Sequence, residues 1–373
     1  MSDKKVIVHF IWRGSFDIFP VGYINFMKLC IPEHEHHFFV KDVDGSGTLH
    51  GELNVCDQEN VHYYGNLVRY ALKPENFRLL RKCHKIIVSG WCLSIKERIL
   101  LILSGLISKT YFHFWDVAER AGISLKTAVL CPRQVFGRIL WHILIKKSAG
   151  TINLIKSDLE ALNRIYPSNT KHFIAPMPAD PLKQYDFASI REKAMKDSVC
   201  RIIVGHSAHA SLRHIEVFRL LAHLKDENIK IVCPLSYGNS EYRDKVIAEG
   251  RSIFEEKFIP IVKFINKDEY INFLASCDVG IFMIYGQQAM GNISLLLRLG
   301  KKVYLIKDEG NRLWQEFSFR RKFSVYPVSE LDGITLEQLV NFPQELAYNN
   351  IHIAEEYAAG DQAVTQWRKV FED

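Results

Sequence analysis

The sequence predicts an α/β protein made of two doubly wound parallel-sheet domains. Three observations carry that prediction: a length of 373 residues, a strand–helix alternation through both halves, and a proline-bearing break between them. A chain of this length exceeds one ordinary core and divides into two domains of about 150 to 200 residues each. Short apolar runs alternating with helical stretches build a mostly parallel sheet covered by helices.

In the first half, residues 6–12 read as a strand, 23–29 as a helix and 37–41 as a strand. Residues 67–72 and 77–81 are helical, 85–89 form a strand stopping at Gly90, 94–104 a helix and 110–115 a strand. Pro176, Pro178 and Pro181 then fall close together in APMPADPLKQYD, which breaks both periodicities and places a linker at 176–185. A second alternation follows: strands over 201–204, 230–234, 261–264, 279–284 and 302–306, and helices over 212–224, 241–255, 267–276 and 292–299. Residues 354–371 read as a last helix. The domains are therefore 1–180, 186–350, and a helical segment 351–373 crossing back to the N-terminal domain. Two Rossmann-like doubly wound domains facing a cleft form the GT-B architecture, used by many glycosyltransferases that take sugar nucleotides.

Composition excludes other classes. With 48% hydrophobic and 24% charged residues, the chain is neither disordered nor fibrous. A net charge of +6 and a pI near 8.7 favour anionic partners such as diphosphates or acidic headgroups without calling for nucleic acid. The eight cysteines form no CxxC pair, the pattern of reduced thiols in a cytoplasmic protein rather than a zinc or disulfide framework. The start MSDKKVIVHF reads as a first strand rather than a signal peptide. Residues 99–108, the longest uncharged apolar stretch, reach about half of the roughly 20 residues that a spanning helix needs.

The chemistry-bearing residues gather where strands of the second half end. In GHSAHASLRH, Gly205 permits a tight turn, while Ser207, Ser211 and the first helical amides can hold an anion. Ser211 serves equally as a helix N-cap, and His214 faces either the cleft or solvent. In YGQQAMGN, Gly291 lets the backbone approach a diphosphate at the start of the helix containing Asn292. Gln287 and Gln288 offer donor and acceptor groups to sugar hydroxyls or an acetamido group. The strand ends at Pro234, Tyr237 and Phe264 border the nucleotide base, or are plain core.

In the first half, Asp116 follows the strand 110–115 and is the leading general base, with the helix N-cap as its alternative. His113, Glu119 and His9 are reserves. Asp42-Val43-Asp44 and the cluster from Glu33 to His37 read as loops rather than metal sites. The segment RQVFGRILWHILIKK sets Arg133, Arg138, Trp141, Lys146 and Lys147 on a basic, aromatic helix suited to an anionic bilayer surface. A buried helix with snorkelling lysines is the alternative.

The pattern V-G-x-S-x-x-x-S-x-x-H at Val204, Gly205, Ser207, Ser211 and His214 carries a resemblance. With it go Val232, Pro234 and Tyr237; Cys277, Asp278, Gly280 and Phe282; Gln287, Gln288 and Gly291; and Trp314 with Gln315. Together they resemble the enterobacterial TDP-N-acetylfucosamine:lipid II N-acetylfucosaminyltransferase family. Where that family carries Trp-Gly-Ala-Asp, this chain reads Trp115-Asp116-Val117-Ala118.

The resemblance implies transfer of 4-acetamido-4,6-dideoxygalactose or a related deoxy sugar. The donor is a dTDP-sugar and the acceptor a polyprenyl-diphosphate-linked saccharide at the cytoplasmic face of the inner membrane. GT-B enzymes generally need no metal or other cofactor, because helix dipoles and basic side chains stabilise the leaving diphosphate. The rival readings are an epimerase of the UDP-sugar 2-epimerase type and a non-catalytic sugar-nucleotide-binding protein.

Overall fold

The computed structural model describes residues 4–12, 18–41, 59–65, 73–91, 93–115, 132–177, 185–194, 198–359 and 362–373. The expected helix at 67–72, the Asp42–Asp44 loop, Asp116 and Glu119 lie outside these residues. The chain forms two compact units, Met1–Pro181 with Asp361–Asp373, and Leu182–Gly360.

The first unit holds β1 (Val6–Trp12), β2 (Glu35–Lys41), β3 (Val61–Tyr64), β4 (Lys85–Ser89), β5 (Thr110–Phe114), β6 (Gly150–Asn153) and β7 (Lys171–Ile174). Among the described residues they form one parallel sheet in the order β3-β2-β1-β4-β5-β6-β7. Alternate residues of β1 enter different cores, Val8 and Phe10 on one side, Ile7 and Ile11 on the other. A strand covered on both faces reads as a nearly continuous apolar run, here interrupted only by the buried His9.

The second unit holds β8 (Cys200–Val204), β9 (Ile229–Pro234), β10 (Phe258–Ile261), β11 (Val279–Phe282), β12 (Lys302–Leu305) and β13 (Tyr326–Pro327), in the order β10-β9-β8-β11-β12-β13. Its pairs are also parallel. The chain steps outward from β8 to β10, then returns to lay β11 against the other side of β8. That reversal is the switch point at which open α/β sheets bind ligands beyond their strand ends.

Three expected elements are corrected. The strand expected at 261–264 is Phe258–Ile261, an edge strand that tolerates Pro260 because it pairs only with β9. The helix expected at 212–224 is a 3-10 turn, Ala210–Leu212, followed by α-helix His214–Leu221, because Arg213 takes a left-handed conformation at φ +50°. The single last helix is two, Gln344–Ala359 and Gln362–Glu372, with Gly360 and Asp361 between them in sequence. Residues 351–359 therefore complete a helix of the second unit, whereas Gln362–Glu372 packs in the core of the first.

Candidate active site

The loops after β8 and β11 meet at the switch point of the second unit. Gly205 ends β8 at φ +67°, and its N–H donates to the Ile281 carbonyl at 3.0 Å, fixing the turn against β11. A Cβ at Gly205 would stand 2.4 Å from His214 Nε2, so glycine is required by both backbone and space. The next residues zip onto the loop after β9. Ala208 N–H donates to Tyr237 O at 2.6 Å, Asn239 N–H to Ala208 O at 2.9 Å, and buried Ser207 bonds the Tyr237 hydroxyl.

Positive charge enters through Arg213. Its left-handed backbone interrupts the helix that the sequence continues through it, and its guanidinium lies 5.5 Å from the Tyr285 ring centre in the loop after β11. Glu216 flanks it at 3.6 Å, and the side chain is 40% exposed. Non-glycine residues in this backbone region are strained, and such strain collects at functional sites. A second guanidinium, that of buried Arg312, backs the same loop: a Cβ on Gly286 would stand 3.0 Å from its Nη2. Asn311 sets it there by donating to the Ile284 and Ile306 carbonyls, at 3.1 and 2.8 Å, and capping the turn that contains Arg312.

The loop closes at Ala289, φ +60°, and helix Met290–Arg298 begins without a side-chain cap. Gly291 in its first turn is exposed, with open space where a Cβ would stand. Uncapped amides with the helix dipole behind them bind anions. Asn292 donates from Nδ2 to the Tyr270 hydroxyl at 2.8 Å, joining this helix to Lys267–Ser276.

His206 and His214 are neutral at pH 7. Burial, aided by His206, brings His214 down to about 3, and burial, aided by His209, brings His206 down to about 4. The fixed positive charge therefore comes from guanidinium groups. Burial also raises the Tyr237 phenol to about 12, against the lowering effect of Ser207, so it stays a hydrogen-bonding group.

The structure sorts the expected donor residues. Gly205, Ser207, Tyr237, Gly291 and Asn292 stand in or beside the cradle. Gln287 is buried, with Nε2 3.3 Å from Met290 Sδ, and Gln288 is half-buried. His214 lies under Gly205 rather than toward solvent. Ser211 is exposed within a 3-10 turn and is not a helix N-cap; Arg213 holds that position. Pro234 is buried as the last residue of β9, and Phe264 is 55% exposed beyond the edge strand. Arg213, Tyr285, Tyr270 and Arg312 were missed. The signal for Arg213 was a cation inside a strand-end loop, one residue before the histidine that the pattern selected.

In the first unit, His9 and His113 are fully buried. His113 Nδ1 accepts from Trp115 Nε1–H at 3.1 Å, and burial brings it down to about 3. Glu97, a buried carboxylate not singled out in the sequence, completes a capping box with Ser94 and faces Lys41 at 3.4 Å. Of the expected membrane residues, Arg133, Lys146 and Lys147 are exposed and Arg138 is half-buried. Trp141 is core, 4% exposed beneath Arg98 at 4.8 Å. The exposed apolar groups on these helices are instead Phe136 (46%), Ile139 (52%) and Leu103 (78%). No helix among the described residues is long and apolar enough to cross a membrane. Among the same residues, no group of three His, Cys, Asp or Glu could hold a metal ion. In the expected His-Glu cluster, Glu33 pairs with Arg368 and His37 with Glu35.

Two parallel-sheet α/β units give the GT-B fold of glycosyltransferases. Solved structures share the fold over nearly the whole chain. A glycosyltransferase from Rickettsia africae ESF-5 is 14% identical, with 99% of this chain and 97% of that one covered and a TM-score of 0.67. A UDP-forming alpha,alpha-trehalose-phosphate synthase from Burkholderia xenovorans, in complex with glucose-6-phosphate, is 11% identical over 98% and 99%, with a TM-score of 0.65. WaaG, a glycosyltransferase involved in lipopolysaccharide biosynthesis, is 10% identical over 98% and 98%, at 0.61. The chain belongs to glycosyl transferase group 56, the 4-alpha-L-fucosyltransferase family, whose profile it matches over residues 100–357. It is a hexosyltransferase, and the match reaches well into the first unit.

Proposed function

We propose that this hexosyltransferase moves 4-acetamido-4,6-dideoxygalactose, or a related deoxy sugar, from a dTDP-sugar to a polyprenyl-diphosphate-linked saccharide in bacterial surface polysaccharide synthesis. The second unit holds the donor and the first the acceptor. One observation carries the donor side: the Gly205 turn, Arg213 and the uncapped helix at Met290 and Gly291 converge at the switch point. As an acceptor hydroxyl attacks the anomeric carbon, the bond from that carbon to the β-phosphate oxygen breaks. The hydroxyl proton passes to the Asp116 carboxylate, and dTDP departs. Charge developing on the leaving oxygen is met by Arg213 and the helix amides, so the reaction needs no bound metal.

The test is dTDP release from dTDP-4-acetamido-4,6-dideoxygalactose with a polyprenyl-diphosphate disaccharide, in EDTA throughout. Release that requires both substrates, with sugar on the lipid, is the expected result. Donor turnover without acceptor points to an epimerase, donor binding without turnover to a binding protein, and rescue by magnesium overturns the metal-free reading. Asp116→Asn lowers kcat by about 10² to 10⁴ with dTDP affinity unchanged. A fully active variant removes Asp116 as the base.

The acceptor reading places the enzyme on the cytoplasmic face of the inner membrane. Phe136 and Ile139 lie one helical turn apart, between Arg133 and the pair Lys146 and Lys147. That order of apolar and basic groups suits insertion into an anionic interface. Burying the exposed parts of both side chains contributes about 2 to 3 kcal/mol. The double variant Phe136→Asp, Ile139→Asp therefore loses at least about tenfold in affinity for phosphatidylglycerol vesicles. Equal sedimentation of both proteins with vesicles rejects this surface.

A further inference from the structure

The last helix, Gln362–Glu372, places two fully buried aromatic residues over a group of histidines. Trp367 lies 4.9 Å from the His113 ring, while Phe371 lies 5.5, 5.7 and 6.1 Å from the rings of His34, His36 and His9. Under Phe371 runs one hydrogen-bonded chain. His36 Nε2 donates to the Ile31 carbonyl at 3.0 Å, so His36 Nδ1 accepts, and the His9 Nε2–H donates to it at 2.9 Å. His9 Nδ1 is then left to accept the Tyr23 hydroxyl proton at 3.0 Å. Every ring nitrogen of the pair is thus occupied with both imidazoles neutral. A proton on His9 Nδ1 turns the Tyr23 hydroxyl from donor to acceptor, a proton on His36 Nδ1 reverses the whole chain, and either one puts a cation inside the core.

We propose that helix Gln362–Glu372 is an acid-released latch on the first unit, closed over neutral imidazoles and let go when they take up protons. Apart from the histidines, ordinary contacts tie it down. Trp367 Nε1–H donates to Pro176 O at 3.0 Å, Lys85 to Val370 O at 2.9 Å, and Arg368 pairs with Glu33 at 2.6 Å. The Asp373 carboxylate accepts from Tyr111 at 2.8 Å and Lys171 at 2.6 Å. Protons on the histidines weaken the latch by charging groups that its aromatic residues keep from water.

The pH window follows from the direction of each shift. Burial holds His9 well below the ordinary imidazole value, His36 at about 4 and His113 at about 3. His34 is also lowered by burial, with Lys5 and His84 acting in the same sense and Glu33 and Glu372 against it. The neighbouring His37 further disfavours charge on His9 and His36. Once released, these rings take up protons near pH 6.5, so the released form binds more protons below that value. Latch stability is full above about pH 6.5 and falls as the pH drops toward the folded values. Glu33 is lowered chiefly by its bond to Arg368, and Asp373, against the raising effect of burial, by Lys171, Tyr111 and Lys85, so their contributions disappear only below the ordinary carboxylate range of about 4. Lys85, although lowered by burial, is a cation throughout this window. Between about pH 6.5 and 4.5 the histidines alone respond.

Hydrogen exchange of the full-length protein tests this, with each pH corrected for intrinsic rate. Between pH 7.5 and 5.0, residues 362–373 lose at least tenfold in protection, reversibly. Helix Ile95–Leu103, which packs in the other core cluster of the unit, keeps its protection. In the double variant His9→Phe, His36→Phe the C-terminal segment loses less than half as much on a logarithmic scale. Unchanged wild-type protection at pH 5.0, equal loss in both helices, or undiminished loss in the double variant overturns the latch. Should that variant not fold, ¹⁵N titration of the wild-type imidazoles decides. His9 and His36 stay neutral until the helix is released, and either ring charging near pH 6.5 under a protected helix ends the proposal.

Discussion

Arg213→Ala lowers kcat/KM by about 10² to 10³ while the melting temperature stays within a few degrees, the range expected when a positioned donor to developing charge is removed. The two readouts separate because alanine and arginine pay a similar penalty in the left-handed region, so exchanging them changes charge with little change in strain. Lost stability from the contact over Tyr285 is about 0.5 to 1 kcal/mol, as for an exposed cation over a ring. Arg213→Lys recovers part of the rate, because an ammonium supplies the charge without the planar fork. Steady-state kinetics with the dTDP-sugar decide it. An alanine variant within threefold of wild type removes Arg213 from the reaction.

Gly205→Val destabilises the second unit by about 3 kcal/mol, combining a left-handed β-branched residue with overpacking against His214. For a unit of this size that is roughly a 6 to 12 °C fall in melting temperature. The dTDP-dependent thermal shift disappears with it, because a turn pushed off His214 no longer presents its backbone to a phosphate. His214→Ala in the same chain removes the ring that the new side chain strikes. The double variant therefore recovers about 1 to 3 kcal/mol, measured as a coupling energy by denaturation. Purely additive losses would show that the two residues do not meet. The backbone penalty at φ +67° remains in either case.

Much of this site is legible in the chain because strand ends are local signals. Gly205, Tyr237 and Gly291 follow apolar runs whose periodicity changes within a few residues, and the structure finds all three beyond strand ends. Pro234 does end its strand, whereas Phe264 does not, because the same signal is weak there. Ile261 to Phe264 is as apolar as a strand, but the pairing partner Ile231–Pro234 takes Phe258–Ile261. Trp141 was misread for a related reason: helix periodicity ranks which residues share a face, not which face Arg98 and the neighbouring helix cover.

What the sequence determined by itself is the pair of doubly wound sheets, the strand-end loops between them and the family pattern in those loops. Each depends on periodicity, glycine and proline over short spans. What only the tertiary structure decided is where each member of a loop sits and what it touches. Arg213 reaches Tyr285 and His214 goes under Gly205 because one residue takes a positive φ, a choice made by packing around it and invisible in its side-chain type. Trp367 and Phe371 likewise meet four histidines far away in the chain, through contacts that exist only once the sheet has brought the strands side by side.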